Sequence, residues 1–113
     1  MNIVSGAVED GRFTVRDGAV PLAGAAPSGS LYLGFRPEDA VLAPVEEAML
    51  RARIYSTEMT GNETIVTCLL NEEQVVVRAD KDFEASMDTA VGINLDPAKA
   101  RLFDSESGNR VRR

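Results

Sequence analysis

The sequence predicts an all-β fold, a small barrel or sandwich of many short strands, on three observations. Aliphatic and β-branched runs such as Thr64-Ile65-Val66-Thr67-Cys68-Leu69-Leu70 recur between short polar turns. Two Asp-Gly pairs, Asp10-Gly11 and Asp17-Gly18, fall close together between apolar runs, which is the pattern of tight hairpins. Alternating runs recur, as in Leu31-Tyr32-Leu33 and in Val91, Ile93 and Leu95 about Gly92 and Asn94.

Taken in order, Asn2 to Val8, Phe13-Thr14-Val15 and Ala19 to Leu22 read as three strands joined by the two Asp-Gly turns. Ala23 to Ser30 is small and turn-rich and reads as a loop. Leu31-Tyr32-Leu33 is an alternating run that meets Gly34-Phe35-Arg36-Pro37-Glu38-Asp39. Proline fixes its own φ and pushes Arg36 into extended geometry, so this stretch is a rigid, charged corner. Ala40-Val41-Leu42-Ala43 is a short strand closed by Pro44.

Val45 to Arg53 admits two readings. Its residues favour helix, with Val45, Ala48, Met49 and Ala52 on one face, while Leu50, Ala52 and Ile54 alternate as a strand would. Residue propensity leans to the helix. Beyond it, Thr60-Gly61-Asn62 and Asn71-Glu72-Glu73 are turns in a meander of Ile54 to Met59, Thr64 to Leu70 and Gln74 to Ala79. Asp80 to Asp88 is a charged loop, Val91 to Leu95 another strand, and Asp96-Pro97 opens one helical turn before Arg101-Leu102-Phe103. From Asp104 to Arg113 the chain is polar and reads as a frayed tail.

The composition fits one folded domain with an aliphatic core: 113 residues, 44% hydrophobic and only 5% aromatic. A net charge of −6 and few aromatics work against a nucleic-acid partner. No apolar run approaches the roughly 18 residues that span a bilayer, and the N-terminus lacks the basic region of a secretory signal, so a cytoplasmic location is expected.

Histidine is absent and Cys68 is the only cysteine. Ser-His-Asp and Cys-His nucleophiles, histidine-ligated zinc and an intrachain disulfide are thereby excluded. Neither Lys81 nor Lys99 follows the glycine pattern of a phosphate-binding loop, so this chain alone is not expected to be an enzyme. The carboxylates Glu46-Glu47, Glu72-Glu73, Asp80, Asp82, Glu84 and Asp88 read as solvated, without the spacing of a calcium loop. Cys68 alternates with Val66 and Leu70 and reads as a buried structural thiol. Arg36 and Glu38 remain, either as an ion pair that braces the corner or as interface contacts.

The corner Gly34-Phe35-Arg36-Pro37-Glu38-Asp39 is similar to the Gly-x-Arg-Pro-Glu-His signature in ATPase subunits of carbohydrate-importing ABC transporters, within their C-terminal regulatory (TOBE, transport-associated oligomer-binding) domain. Three further stretches follow in the family's order. Glu58-Met59-Thr60-Gly61-Asn62-Glu63-Thr64 resembles its Glu-x-Leu-Gly-x-Glu turn, and Val75-Val76-Val77-Arg78 its next strand. Asp96-Pro97 with Leu102-Phe103-Asp104 and Gly108 resembles its closing pattern, and Met1-Asn2-Ile3 the start of the segment. Asp39, Thr60 and Ser107 depart from the usual histidine, leucine and threonine, and Asp39 puts in doubt any role of that histidine.

The resemblance implies an oligomer-binding-type barrel over 1–104, at most with short helical turns. A small second β subdomain would be formed partly by 1–30 and 84–104, with a flexible tail at 105–113. It implies that Met49 to Met59 is a strand. It implies a non-catalytic regulatory and dimerisation domain for an importer of sugars or glycerol phosphate, peripheral to the inner face of the membrane. Its partners would be a second copy, an N-terminal ATPase domain that binds ATP and magnesium in place of this chain, and the permease subunits. The positions carried over as regulatory or interface candidates are Arg36, Pro37 and Glu38, with Glu58, Gly61, Asn62 and Glu63. A free-standing barrel that binds an oxyanion or a small sugar is the alternative, and a single-strand nucleic-acid barrel a second.

Overall fold

A computed structural model describes residues 1–16, 18–22 and 29–104, and the backbone of 110 and 111. Asp17, most of the 23–30 loop and most of the expected tail, Ser107 and Gly108 included, lie outside the described residues. Eleven strands form one curled sheet: β1 (Asn2–Glu9), β2 (Arg12–Val15), β3 (Gly18–Pro21), β4 (Gly29–Phe35), β5 (Ala40–Ala43), β6 (Leu50–Met59), β7 (Glu63–Leu70), β8 (Glu73–Asp80), β9 (Ala90–Leu95), β10 (Arg101–Asp104) and β11 (Arg110–Val111). The helical content described is three single 3-10 turns, and none is long and apolar enough to cross a membrane. The all-β, OB-like architecture expected from the sequence is the one observed.

The path through the sheet is β11-β10-β4-β1-β2-β3-β6-β7-β8, with β9 on the other side of β6 and β5 beyond β9. Every pairing is antiparallel. Asp10 and Gly11 both take positive φ, 51° and 76°, the twist-matched geometry of a two-residue hairpin that closes Glu9 on Arg12. The described parts of 1–30 and 84–104 meet at β4, which β1 and β10 flank, while β9 joins β5 and β6. Within the expected tail, Arg110 and Val111 pair with Phe103 and Leu102.

The helix that propensity favours over Val45 to Arg53 does not form. Pro44 opens one 3-10 turn, Val45–Glu47, and the chain then enters β6. The alternation decides: Leu50, Ala52 and Ile54 are buried while Arg51 and Arg53 are exposed. A strand lets that face join the core between β9 and β7, whereas a helix would scatter it.

The core is aliphatic with two phenylalanines, Phe13 and Phe35, among Val4, Leu33, Leu50, Ile54, Val66, Leu70, Ile93 and Leu102. Gly92 permits tight packing of β9 on the 3-10 turn before β6. A Cβ there would meet Ala48 and stand 2.9 Å from the carbonyl oxygens of Ala43 and Pro44.

Among the described residues β8 is backbone-paired only to β7, and its other edge meets β1 through side chains of both strands. Asn2 Nδ2 donates to the Val76 carbonyl at 2.7 Å, and Asn2 Oδ1 accepts from the Val76 N–H at 2.8 Å. Three residues on, Glu73 Oε1 accepts from the Ser5 N–H at 2.9 Å and Glu73 Oε2 from Ser5 Oγ at 3.2 Å. Asn2 is 7% exposed, so its loss leaves a donor and an acceptor of Val76 unmatched. Replacing Asn2 with Ala is expected to lower stability by about 2–4 kcal/mol in urea unfolding, with Ser5→Ala costing less because that contact is exposed.

Candidate functional site

The corner is assembled by β4. Leu31, Leu33 and Phe35 point into the core, and Gly34 sits between Ile3 of β1 and Arg101 of β10. A side chain at Gly34 would crowd Phe103 and Met1, at 2.7 and 2.8 Å, which accounts for glycine there. Arg36 is extended (φ −85°, ψ 150°), as the residue before a proline must be, and Pro37–Asp39 forms one 3-10 turn with proline at its first position. The Asp39 N–H donates to the Arg36 carbonyl at 2.9 Å.

Asp39, which departs from the family's histidine, is the tied residue of the corner. Its carboxylate is 15% exposed and lies 3.8 Å from Lys99 Nζ, and its carbonyl accepts the Asp96 N–H at 3.4 Å. Asp96 in turn accepts from the Ala98 N–H at 3.0 Å, capping the 3-10 turn Pro97–Lys99. The two proline turns that sequence motifs mark separately are therefore docked on each other. Arg101 donates to the Lys99 carbonyl at 2.8 Å. Together Met1, Arg36, Asp39, Lys99 and Arg101 line a cleft of about 310 Å³.

Arg36 and Glu38 do not brace this corner. The ion pairs among the described residues are Arg53–Asp88, Arg78–Glu63 and Lys99–Asp39, and both Arg36 and Glu38 are exposed. The backbone passes from extended at Arg36 to 3-10 at Glu38, and the two side chains do not form an ion pair. Of the two readings left open by the sequence, the ion pair is excluded.

The second candidate turn is the β6–β7 hairpin. Gly61 has φ 100° with open space around it, so the turn needs glycine for its backbone alone. Thr60 closes the hairpin, its N–H and Oγ1 both donating to the Glu63 carbonyl at 2.9 and 3.1 Å. Glu63 lies 3.7 Å from Arg78 on β8, while Glu58, Gly61 and Asn62 are exposed. No hydrogen bond or ion pair among the described residues joins this hairpin to the corner. The structure thus presents two separate patches.

Two asparagines escape the sequence reading. Asn2 is described above, and Asn94 accepts from the Met49 N–H at 2.7 Å and donates to the Glu47 carbonyl at 3.3 Å. Their one signal is an amide set in an otherwise aliphatic strand. Among the described residues no three His, Cys, Asp or Glu side chains gather as a metal would require. Cys68 is fully buried on β7, and burial pushes its thiol from 9.0 up to about 11.

Residues 33–103, which contain the corner, the hairpin and the closing turn, match the family model of the TOBE domain. The chain belongs to the TOBE domain family. This TOBE domain is similar to the sn-glycerol-3-phosphate import ATP-binding protein UgpC of Paracoccus denitrificans (strain Pd 1222). The two are 32% identical over 113 residues, covering 98% of this chain and 32% of that protein. The protein of the same name from Ruegeria pomeroyi (strain ATCC 700808 / DSM 15171 / DSS-3) is 26% identical over the same coverage. The chain therefore spans about a third of the length of these relatives.

Two measurements check the site. Replacing Arg36 and Glu38 together with Ala is expected to change unfolding stability by less than about 0.5 kcal/mol, since neither is paired. A disulfide-forming thiol reagent at pH 8 is expected to leave Cys68 unmodified in the native chain and to label it on unfolding. The thiol's contribution to stability is fully present below pH 9.0, where both states are protonated, and is lost as pH rises toward 11.

Proposed function

We propose that this TOBE domain is the non-catalytic regulatory and dimerisation module of the ATP-binding subunit of an ABC importer for sugars or glycerol phosphate. The observation that carries this reading is the alignment of nearly the whole chain with about a third of two glycerol-3-phosphate import ATP-binding proteins. On this reading ATP and magnesium are held by an N-terminal ATPase domain, which binds the permease subunits from the cytoplasmic side of the membrane. Two copies of the TOBE domain hold two ATPase subunits together while their cassettes open and close. A regulator acts by binding one of those states better than the other. Arg36, Pro37 and Glu38 at the corner, and Glu58, Gly61, Asn62 and Glu63 at the hairpin, serve as contacts.

The cationic cleft of Arg36, Lys99 and Arg101 favours one second reading, a stand-alone barrel that binds an oxyanion or a small sugar. The two part in experiment. The coding sequence upstream of Met1 is expected to encode an ATP-binding cassette, and disruption of that frame to abolish uptake of labelled glycerol 3-phosphate or of an oligosaccharide. Absence of a cassette, with saturable calorimetric binding of sulfate, molybdate, maltose or glycerol phosphate to this chain, would replace the importer reading with the second.

A further inference from the structure

Among the described residues the tip of β6 is an open sheet edge. Up to Arg53, β6 lies between β9 on one side and β3 or β7 on the other, and Ile54 still exchanges backbone bonds with Thr89 and Asp88. The pairing with β7 then skips a residue between Ile54 and Ser56, and this bulge leaves Tyr55 out of the ladder. From Ser56 to Met59 the strand is paired to β7 alone among the described residues. The side chains there are exposed, with Tyr55 at 46% and Met59 at 69%. An exposed edge bearing an aromatic and a methionine is a template for an added strand.

We propose that this edge pairs antiparallel with the same edge of a second copy, about a two-fold axis at Thr57. This rests on the dimerisation reading above and names its surface. The five residues Tyr55-Ser56-Thr57-Glu58-Met59 complement themselves in that register. Thr57 faces Thr57, each Ser56 faces the second copy's Glu58 as a hydroxyl donor to a carboxylate, and each Tyr55 flanks the second copy's Met59. Hydroxyl pairs and aromatic–sulfur contacts are favourable cross-strand neighbours. The adjoining registers are worse. Centring on Glu58 sets two carboxylates face to face, and centring on Ser56 sets the apolar Ile54 against Glu58. Only a self-complementary edge closes into a two-fold dimer and stops there.

Charge exchange at Thr57 tests the proposal, because this side chain is exposed and sits at the centre of the proposed pairing. The wild-type chain is expected to sediment as a concentration-dependent dimer. Thr57→Arg and Thr57→Glu are each expected to weaken self-association by roughly tenfold or more, with unchanged circular dichroism, and an equimolar mixture of the two to restore the dimer. A dimer that survives in both variants overturns the β6 edge while leaving dimerisation standing. A wild-type chain that stays monomeric up to near-millimolar concentration overturns both.

Discussion

One side chain closes the sheet. The edge of β8 needs donors and acceptors, and Asn2 supplies one of each to a single residue, Val76. Asn2 faces Val76 and Ser5 faces Glu73, the spacing of antiparallel neighbours, so the side chains of Asn2 on β1 and Glu73 on β8 continue a ladder that backbone alone does not make. An amide is well suited to this, since its geometry repeats that of a peptide group. The result also protects β8 as an edge, because the backbone groups of Val76 are engaged from inside the molecule.

Closure and corner are the same place. Asn2 lies opposite Phe35 in the β1–β4 register, and Phe35 is followed at once by Arg36 and Pro37. Fixing Asn2 against β8 fixes the end of β4, and from there the proline turn carries Asp39 to Lys99 and to the backbone of Asp96. The pair Lys99–Asp39 is long and its lysine is 60% exposed, so it adds little energy on its own. What holds the two turns together is chain geometry: Ala40 pairs with Leu95 and Gly34 with Arg101, which brings each turn to the other from both ends.

Most of the strands could be read from the sequence because each carries its own signal. The Asp10-Gly11 turn, the alternation of Thr64 to Leu70 and the Gly61 turn are local patterns, and local patterns survive folding unaltered. Val45 to Arg53 was ambiguous for the opposite reason: its propensity and its alternation disagree, and burial between two neighbouring strands settled the matter. Asn2 was illegible, since the residue it serves is 74 positions away. At the candidate site the sequence left Arg36 and Glu38 open between a bracing ion pair and interface contacts, and the ion pair described at the corner is Asp39 with Lys99 instead. Asp39 looked like the departure from pattern, yet it is the half-buried partner of Lys99, while Arg36 and Glu38 are exposed.

That exchange of roles separates the charges into two kinds. Asp39, Glu63, Glu73 and Asp96 are engaged within turns or between strands, so their partners hold them whether or not anything binds. Arg36, Glu38 and Glu58 are exposed and without partners inside the domain. Exposed charges of this second kind add little to affinity when a surface docks, but they select partners by penalising a like charge set against them. Affinity has to come from apolar area at the centre of a contact. At the hairpin the exposed Met59 and Tyr55 flank the free Glu58. At the corner Phe35 is buried and Pro37 half-buried, but Met1 is exposed in the cleft with Arg36, and Val41 is exposed three residues beyond Glu38. On the proposed contact reading, apolar groups set beside free charges at both patches would supply adhesion, and the charges would decide which partner is accepted.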